Sequence, residues 1–242
     1  MEELRKTYHH ELESARAELA RLAALVAELI PRATAILLDS DLEGAEYIIR
    51  GDEEIDARCV ELEEQCIRIL ALQAPVATEL RQVVALLKMI SEVERSGDLV
   101  RNICKAARRM HGHDLDPKLR GIINRMGEQA QQVYSAAIEA FVENDVSKAA
   151  ALDDMDAYLD ALQKQFMQAI LESQAAGRID MQIAVQLAMV ARFYERIGDH
   201  AVNIAERVRF VITGWVPDHR KPERAPVELD ATIASSETAE DQ

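Results

Sequence analysis

Apolar residues return at alternating steps of three and four along nearly the whole chain, the spacing of one face of an α-helix. The last long segment is the clearest, with Ile183, Leu187, Val190, Tyr194, Ile197, Ala201, Ile204 and Val208 on one seam. The pattern predicts six helices, near 3–38, 42–72, 75–111, 117–143, 145–175 and 178–213. Helices of roughly 30 residues span about 45 Å at 1.5 Å per residue. Short turns between long helices make sequential neighbours antiparallel. Pro75 and Pro117 suit first-turn positions, and Asp116 is a good N-cap before Pro117. Pro31 falls inside the first helix and should kink it. The expected fold is all-α: two tandem, pseudo-symmetric, up-down three-helix bundles.

The pseudo-symmetry comes from a repeat. Glu94-Arg95-Ser96-Gly97-Asp98, followed by Asn102-Ile103, recurs as Glu195-Arg196-Ile197-Gly198-Asp199, followed by Asn203-Ile204, 101 positions later. Upstream, Asp52 and Asp56 match Asp156 and Asp160, and the turn at Asp39-Ser40-Asp41 matches Glu143-Asn144-Asp145, both at an offset of 104. The change of offset places a three-residue difference at the turn near Pro75, opposite Gly177-Arg178. A unit of about a hundred residues is too long for a solenoid repeat of about 20–50 and reads as a duplicated domain. The expected division is 1–112 for the first bundle, 113–215 for the second and 216–242 for a disordered acidic tail.

Composition narrows the class. Hydrophobic residues make up 49% and aromatics only 4%, so the core must be aliphatic. A net charge of −15 argues against a nucleic-acid binder, whose affinity rests on neutralising phosphates. Cys59, Cys66 and Cys104 have no disulfide-framework spacing and read as buried reduced thiols. The charged N-terminal residues carry no apolar signal region, and no apolar run reaches the roughly 18 residues of a membrane span. A soluble, cytoplasmic protein is the expectation.

The candidate chemistry lies in carboxylates. On the second helix the seam runs Ile48, Asp52, Ile55, Cys59, Leu62, Cys66; in the second copy it runs Leu152, Asp156, Leu159, Gln163, Phe166, Ile170. An aspartate on an apolar seam must be hydrated, paired or metal-bound, since an unpaired buried charge is costly. Asp56 and Asp160 stack one turn further on the same face. Glu94 with Asp98, and Glu195 with Asp199, repeat that spacing on the third helix of each copy. Four carboxylates per bundle suit hard or borderline cations: magnesium, calcium, manganese or iron. An acidic pair alone on a helix is usually a solvated face, and Arg95 and Arg196 offer neutralisation without metal. Retention of two pairs in each copy, with an Asp on the seam, favours metal. Gly97 and Gly198 are poor helix formers, and their recurrence suggests space left beside the site. Asn102 and Asn203 extend the same face and are candidates to orient ligands. His200 has no counterpart in the first copy, where Leu99 stands, and reads as a surface or supporting residue. Without a Glu-x-x-His pair among these carboxylates, a ferritin-like di-iron oxidase is disfavoured.

Leu72-Gln73-Ala74-Pro75-Val76-Ala77-Thr78-Glu79-Leu80-Arg81, Glu94-Arg95-Ser96-Gly97-Asp98 and Tyr194-Glu195-Arg196-Ile197-Gly198-Asp199-His200 resemble the PhoU family, over about residues 3–214. The resemblance implies two tandem three-helix bundles and metal clusters, iron or zinc in relatives. These would be held by Asp52, Asp56, Glu94 and Asp98, and by Asp156, Asp160, Glu195 and Asp199. It implies a non-enzymatic negative regulator of the phosphate-starvation response, linking a phosphate ABC transporter ATPase to a sensor histidine kinase, and a homodimer. No nucleophile–base pair or phosphate-cradling Gly-rich loop contradicts that. Ser96 departs from the apolar residue usual at its place, which bears on packing in the first bundle. The alternatives are a carboxylate-bridged metalloenzyme or metal store, and a purely structural helical adaptor.

Overall fold

The computed structural model describes residues 2–214, with side chains from Thr7 onward; the segment expected as an acidic tail lies outside the described residues. Six α-helices make up the described chain: α1 (Glu2–Asp39), α2 (Leu42–Gln73), α3 (Ala77–Arg109), α4 (Pro117–Glu143), α5 (Val146–Ala175) and α6 (Met181–Thr213). Their starts are written in the sequence. Asp41, Asp116, Asp145 and Asp180 are N-caps whose carboxylates accept from backbone N–H groups one turn on. Each such cap stabilises by about 1 kcal/mol over alanine. α3 differs: Val76 precedes it with no capping side chain, and Pro75 lies in the turn, two residues ahead of the helix. The expected first-turn place for Pro75 is therefore corrected. Ala74, in the left-handed conformation, ends α2 and makes room for a three-residue turn. α1 continues unbroken through Pro31.

Helices α1, α2 and α3 pack together, as do α4, α5 and α6. The two bundles also join closely, α1 against α4 and α3 against α6. Buried side chains form one continuous core through both, mostly aliphatic, with Tyr134, Tyr194 and Phe166 its largest fully buried members. Across the join the helices run antiparallel. Arg16, near the start of α1, donates to Phe141 O at 3.2 Å and Asn144 Oδ1 at 3.0 Å at the end of α4. Arg120, its counterpart 104 positions later, donates to Leu38 O at the end of α1. Each arginine thus donates to a carbonyl in the last turn of a helix; that of Phe141 also accepts from Asn144 N at 3.4 Å. Closer to the centre, the Thr34 hydroxyl donates to Ile30 O at 2.9 Å and accepts from Tyr194 at 2.7 Å. A Cβ on Gly127 would stand 2.3 Å from Thr34 Oγ1, so glycine is what lets α4 approach α1 there.

Ser96 fits without loss. It is fully buried and donates to Glu92 O at 2.7 Å, one turn back on α3. Cys59, Cys66 and Cys104 are buried free thiols, pushed by burial to about 12, 11 and 12. In α5 the seam is corrected by one position: Leu162 is buried and Gln163 only half-buried, because the two flank the seam at nearly equal angles and the apolar side chain gains from burial.

Candidate metal centres on the two seams

Both seam aspartates are buried among aliphatic neighbours. Asp52 is 3% exposed and Asp156 1%. Each faces a glycine on the third helix of its bundle. A Cβ on Gly97 would lie 3.5 Å from Asp52 Oδ1, an ordinary contact. A Cβ on Gly198 would lie 2.5 Å from Asp156 Oδ1 and 2.8 Å from Leu159 Cδ2, closer than atoms can pack. The two glycines therefore make space for the aspartates of the facing helices.

In the first bundle Asp52, Asp56 and Asp98 bring one carboxylate oxygen each within 4.8 Å of one another. Glu94 stands at the edge. Burial raises its pKa, and the charges on Asp98 and Asp56 raise it further. Arg101 enters this group from α3. Its guanidinium pairs with Asp52 and Asp98 and lies 4.0 Å from Asp56. Burial nonetheless pushes Asp52 up to about 6, against the pull of Arg101. Asp56 is raised by burial and by Asp98, and its Oδ1 is buried without a hydrogen bond.

The second bundle has the same four carboxylates in a different setting. Glu195 is raised by burial first, then by Asp199, with Asp160 and Asp156 adding to it against Arg192. Arg192 pairs with one oxygen of Glu195, while the other is buried with no hydrogen-bond partner. Position 202, the counterpart of Arg101, is a buried valine. No side chain of the Arg101 kind therefore enters the second group from that position.

The expected supporting residues are spread differently. Arg95 and Arg196 are exposed; Arg95 contributes a lesser positive field at Glu94. Arg101 pairs with Asp52 and Asp98, and Arg192 with Glu195. Asn102 is half-buried, and Asn203 donates to Glu92 at 3.3 Å. His200 is not a surface residue. It is 5% exposed, and its Nδ1 meets Glu92 of α3 at 2.5 Å across the join between bundles. Burial acts to raise Glu92, but the His200 contact, helped by Asn203 and Arg95, holds it below the ordinary glutamate value. Arg101, Arg192 and Glu92 were not singled out from sequence. The signal available for Arg101 and Glu92 was asymmetry: the repeat pairs Arg101 with Val202, Glu92 with Phe193 and His200 with Leu99.

Carboxylate oxygens are hard donors, which fit magnesium, manganese or iron better than zinc, whose usual partners are nitrogen and sulfur. The buried, hydrogen-bond-free oxygens of Asp56 and Glu195 are the groups such a cation would satisfy.

Two joined three-helix bundles, each with an aspartate on its seam opposite a glycine, define a class of helical protein. A family model described as the PhoU domain matches the chain twice, over residues 19–107 and 123–208. The chain belongs to the PhoU family. It is 34% identical over 216 residues to a Mycobacterium leprae protein named phosphate-specific transport system accessory protein PhoU homolog 1, covering 89% of this chain and 96% of that one. It is also 34% identical over 215 residues to PhoU homolog 2 of Mycobacterium tuberculosis, covering 88% of this chain and all of the relative at 100%. The crystal structure of PhoU from Pseudomonas aeruginosa superposes with a TM-score of 0.81 at 27% identity, over 86% of this chain and 100% of that one. The regulatory protein PhoU from Streptococcus pneumoniae gives 0.80 at 26% identity, over 87% and 99%. Among the described residues no helix is long and apolar enough to cross a membrane.

Proposed function

We propose that this protein is an accessory regulator of phosphate uptake. It restrains the phosphate-starvation response by linking a phosphate ABC transporter ATPase to a sensor histidine kinase. The observation that carries this reading is likeness over nearly the whole length of relatives named as phosphate-transport accessory proteins, at 96% to 100% of their chains. The chemistry of the seams agrees with a regulator. The carboxylates are arranged to hold charge, and the buried thiols have little thiolate character near neutral pH.

Within that reading, Asp52, Asp56, Glu94 and Asp98 hold a cation in the first bundle, and Asp156, Asp160, Glu195 and Asp199 hold one in the second. A bound cation would neutralise the clustered carboxylates and tie the second helix of each bundle to the third. Deleting the gene in a strain without a second copy should leave a phosphate-regulated reporter active at high phosphate. An unchanged reporter at both high and low phosphate would sink the regulatory reading. Elemental analysis of protein purified without chelator addresses the cation separately. Finding metal together with turnover of phosphate esters, abolished in Asp199→Ala, would instead favour an enzyme.

A further inference from the structure

The first bundle carries Arg101 where the repeat places the buried Val202 in the second. Its guanidinium stands among the acids that would hold a cation. Asp52, Asp56 and Asp98 bring one oxygen each within 4.8 Å of one another. Arg101 pairs with Asp52 and Asp98 and lies 4.0 Å from Asp56 Oδ2. That arrangement leaves loose ends. Arg101 Nε is buried with no hydrogen-bond partner, and so is Asp56 Oδ1. Buried polar atoms normally have partners, so two orphans in one group make it easier to break. Three carboxylates also outnumber one guanidinium, so negative charge stays in excess when all are ionised. The guanidinium already touches solvent. The Asp52 side chain is 3% exposed, but Arg101 is 24%, Asp98 35% and Asp56 41%. Arg101 thus bridges a buried acid to a wet rim, and an arginine stem can stay packed while its head moves into water.

We propose that Arg101 is an exchangeable counter-ion of the first bundle: its guanidinium leaves the three aspartates when a divalent cation enters, and returns when the cation departs. The exchange rests on the cation reading given above for Asp52, Asp56, Glu94 and Asp98. It relieves both orphaned atoms, since Nε reaches water and Asp56 Oδ1 gains a partner. It also lowers the excess charge, because a divalent ion brings twice the charge of a guanidinium. An incoming ion must displace a resident cation, so this cluster fills only at concentrations above those an arginine-free set of the same acids would need. Filling then frees a guanidinium at the surface of α3, beside α2. Ion occupancy in the interior of the bundle becomes a change of charge on its outside. The device belongs to the first bundle, since position 202 has no charge to release.

Manganese is the probe, added to full-length protein freed of metal by chelator. Asp156→Asn and Asp199→Asn together disable the acids of the second bundle, so manganese binding, read by electron paramagnetic resonance, reports the first. In that background Arg101→Met should raise manganese affinity roughly tenfold or more, because a like charge beside the ion is gone. Circular dichroism establishes that each variant is folded. Phenylglyoxal labelling, with mass spectrometry locating the adduct, follows Arg101 itself and needs no substitution at that residue. Arg101 should react slowly in metal-free protein and several-fold faster at saturating manganese. Arg50, 79% exposed on α2, should react equally in both. Equal manganese affinity in Arg101→Met and its parent overturns the exchange and leaves the cation reading standing. So does manganese binding that leaves the reactivity of Arg101 unchanged. No manganese binding in either protein overturns the cation reading of the first bundle, and the exchange with it.

Discussion

The two sets of carboxylates share their residue types, spacing and glycine, yet their charged neighbours differ. The first has its own cation: Arg101 reaches Asp52 and Asp98 from the turn after Asp98. The second has a buried valine at that position, and Arg192 pairs with the edge residue Glu195. Duplication therefore preserved the acids and let the counter-charge diverge. A bound cation would compete with Arg101 in the first bundle and would meet no arginine at position 202 in the second.

Arg101→Met should break this contrast most strongly. It leaves Asp52 buried beside two more carboxylates, and losing one partner of a buried pair costs several kcal/mol. Since Arg101 is 24% exposed, we expect about 2–3 kcal/mol in chelator-treated protein, measured by urea unfolding. Added manganese or magnesium should recover more stability in this variant than in the parent, because the competing guanidinium is gone.

Next in size is the difference between the two glycines. Gly198→Ala forces a methyl to 2.5 Å from Asp156 and should cost about 1–3 kcal/mol, as overpacking does. Gly97→Ala meets only a 3.5 Å contact, so the helix-propensity gain of up to about 1 kcal/mol should leave it neutral or slightly more stable. Equal effects on the unfolding midpoint would remove the steric distinction between the bundles.

His200→Leu restores the residue type of the first copy and leaves the half-buried Glu92 with Asn203 as its remaining hydrogen-bond donor. The expected loss is about 1–2 kcal/mol, the cost of a poorly satisfied buried group. Adding Glu92→Gln to this variant should cost less than it does in the parent protein.

The smallest effect is on pH dependence, and it has opposite signs at two sites. Glu92 is held below its ordinary value of about 4.3, so its contribution is present above that value and fades as pH falls through the depressed one. Asp52 is raised to about 6, so its contribution is full below the ordinary value of about 3.9 and lost as pH rises through 6. Stability measured from pH 7 to 5 should therefore rise more in the parent than in Asp52→Asn. In Glu92→Gln the acid-side decline should be shallower.

Local chemistry made the helices legible. Asp116-Pro117 announced the start of α4, and the three-four alternation announced α6. The seam aspartates were legible because a charged residue interrupting an apolar row needs a reason, and their burial follows from that row. Arg101 was not, since an arginine three residues after an aspartate on a helix looks like an ordinary solvated pair. Glu92 and His200 were hidden for another reason. They lie 108 residues apart and meet only because α3 packs on α6, a contact that periodicity within one helix cannot express. In all three cases the clue was a position where the two copies disagree. Reading the repeat for its identities finds the acids; reading it for its mismatches finds their partners.

The crossed arginines at the join have a consequence for descent. Arg16 closes the end of α4 and Arg120 closes the end of α1, so each half supplies what the other lacks. That reciprocity is the signature of a two-fold interface between identical subunits. A half-length ancestor with this surface would have met a second copy of itself in the same antiparallel manner. Fusion of two such copies would make the pair permanent and free each half to change independently, which accounts for Arg101 standing opposite Val202.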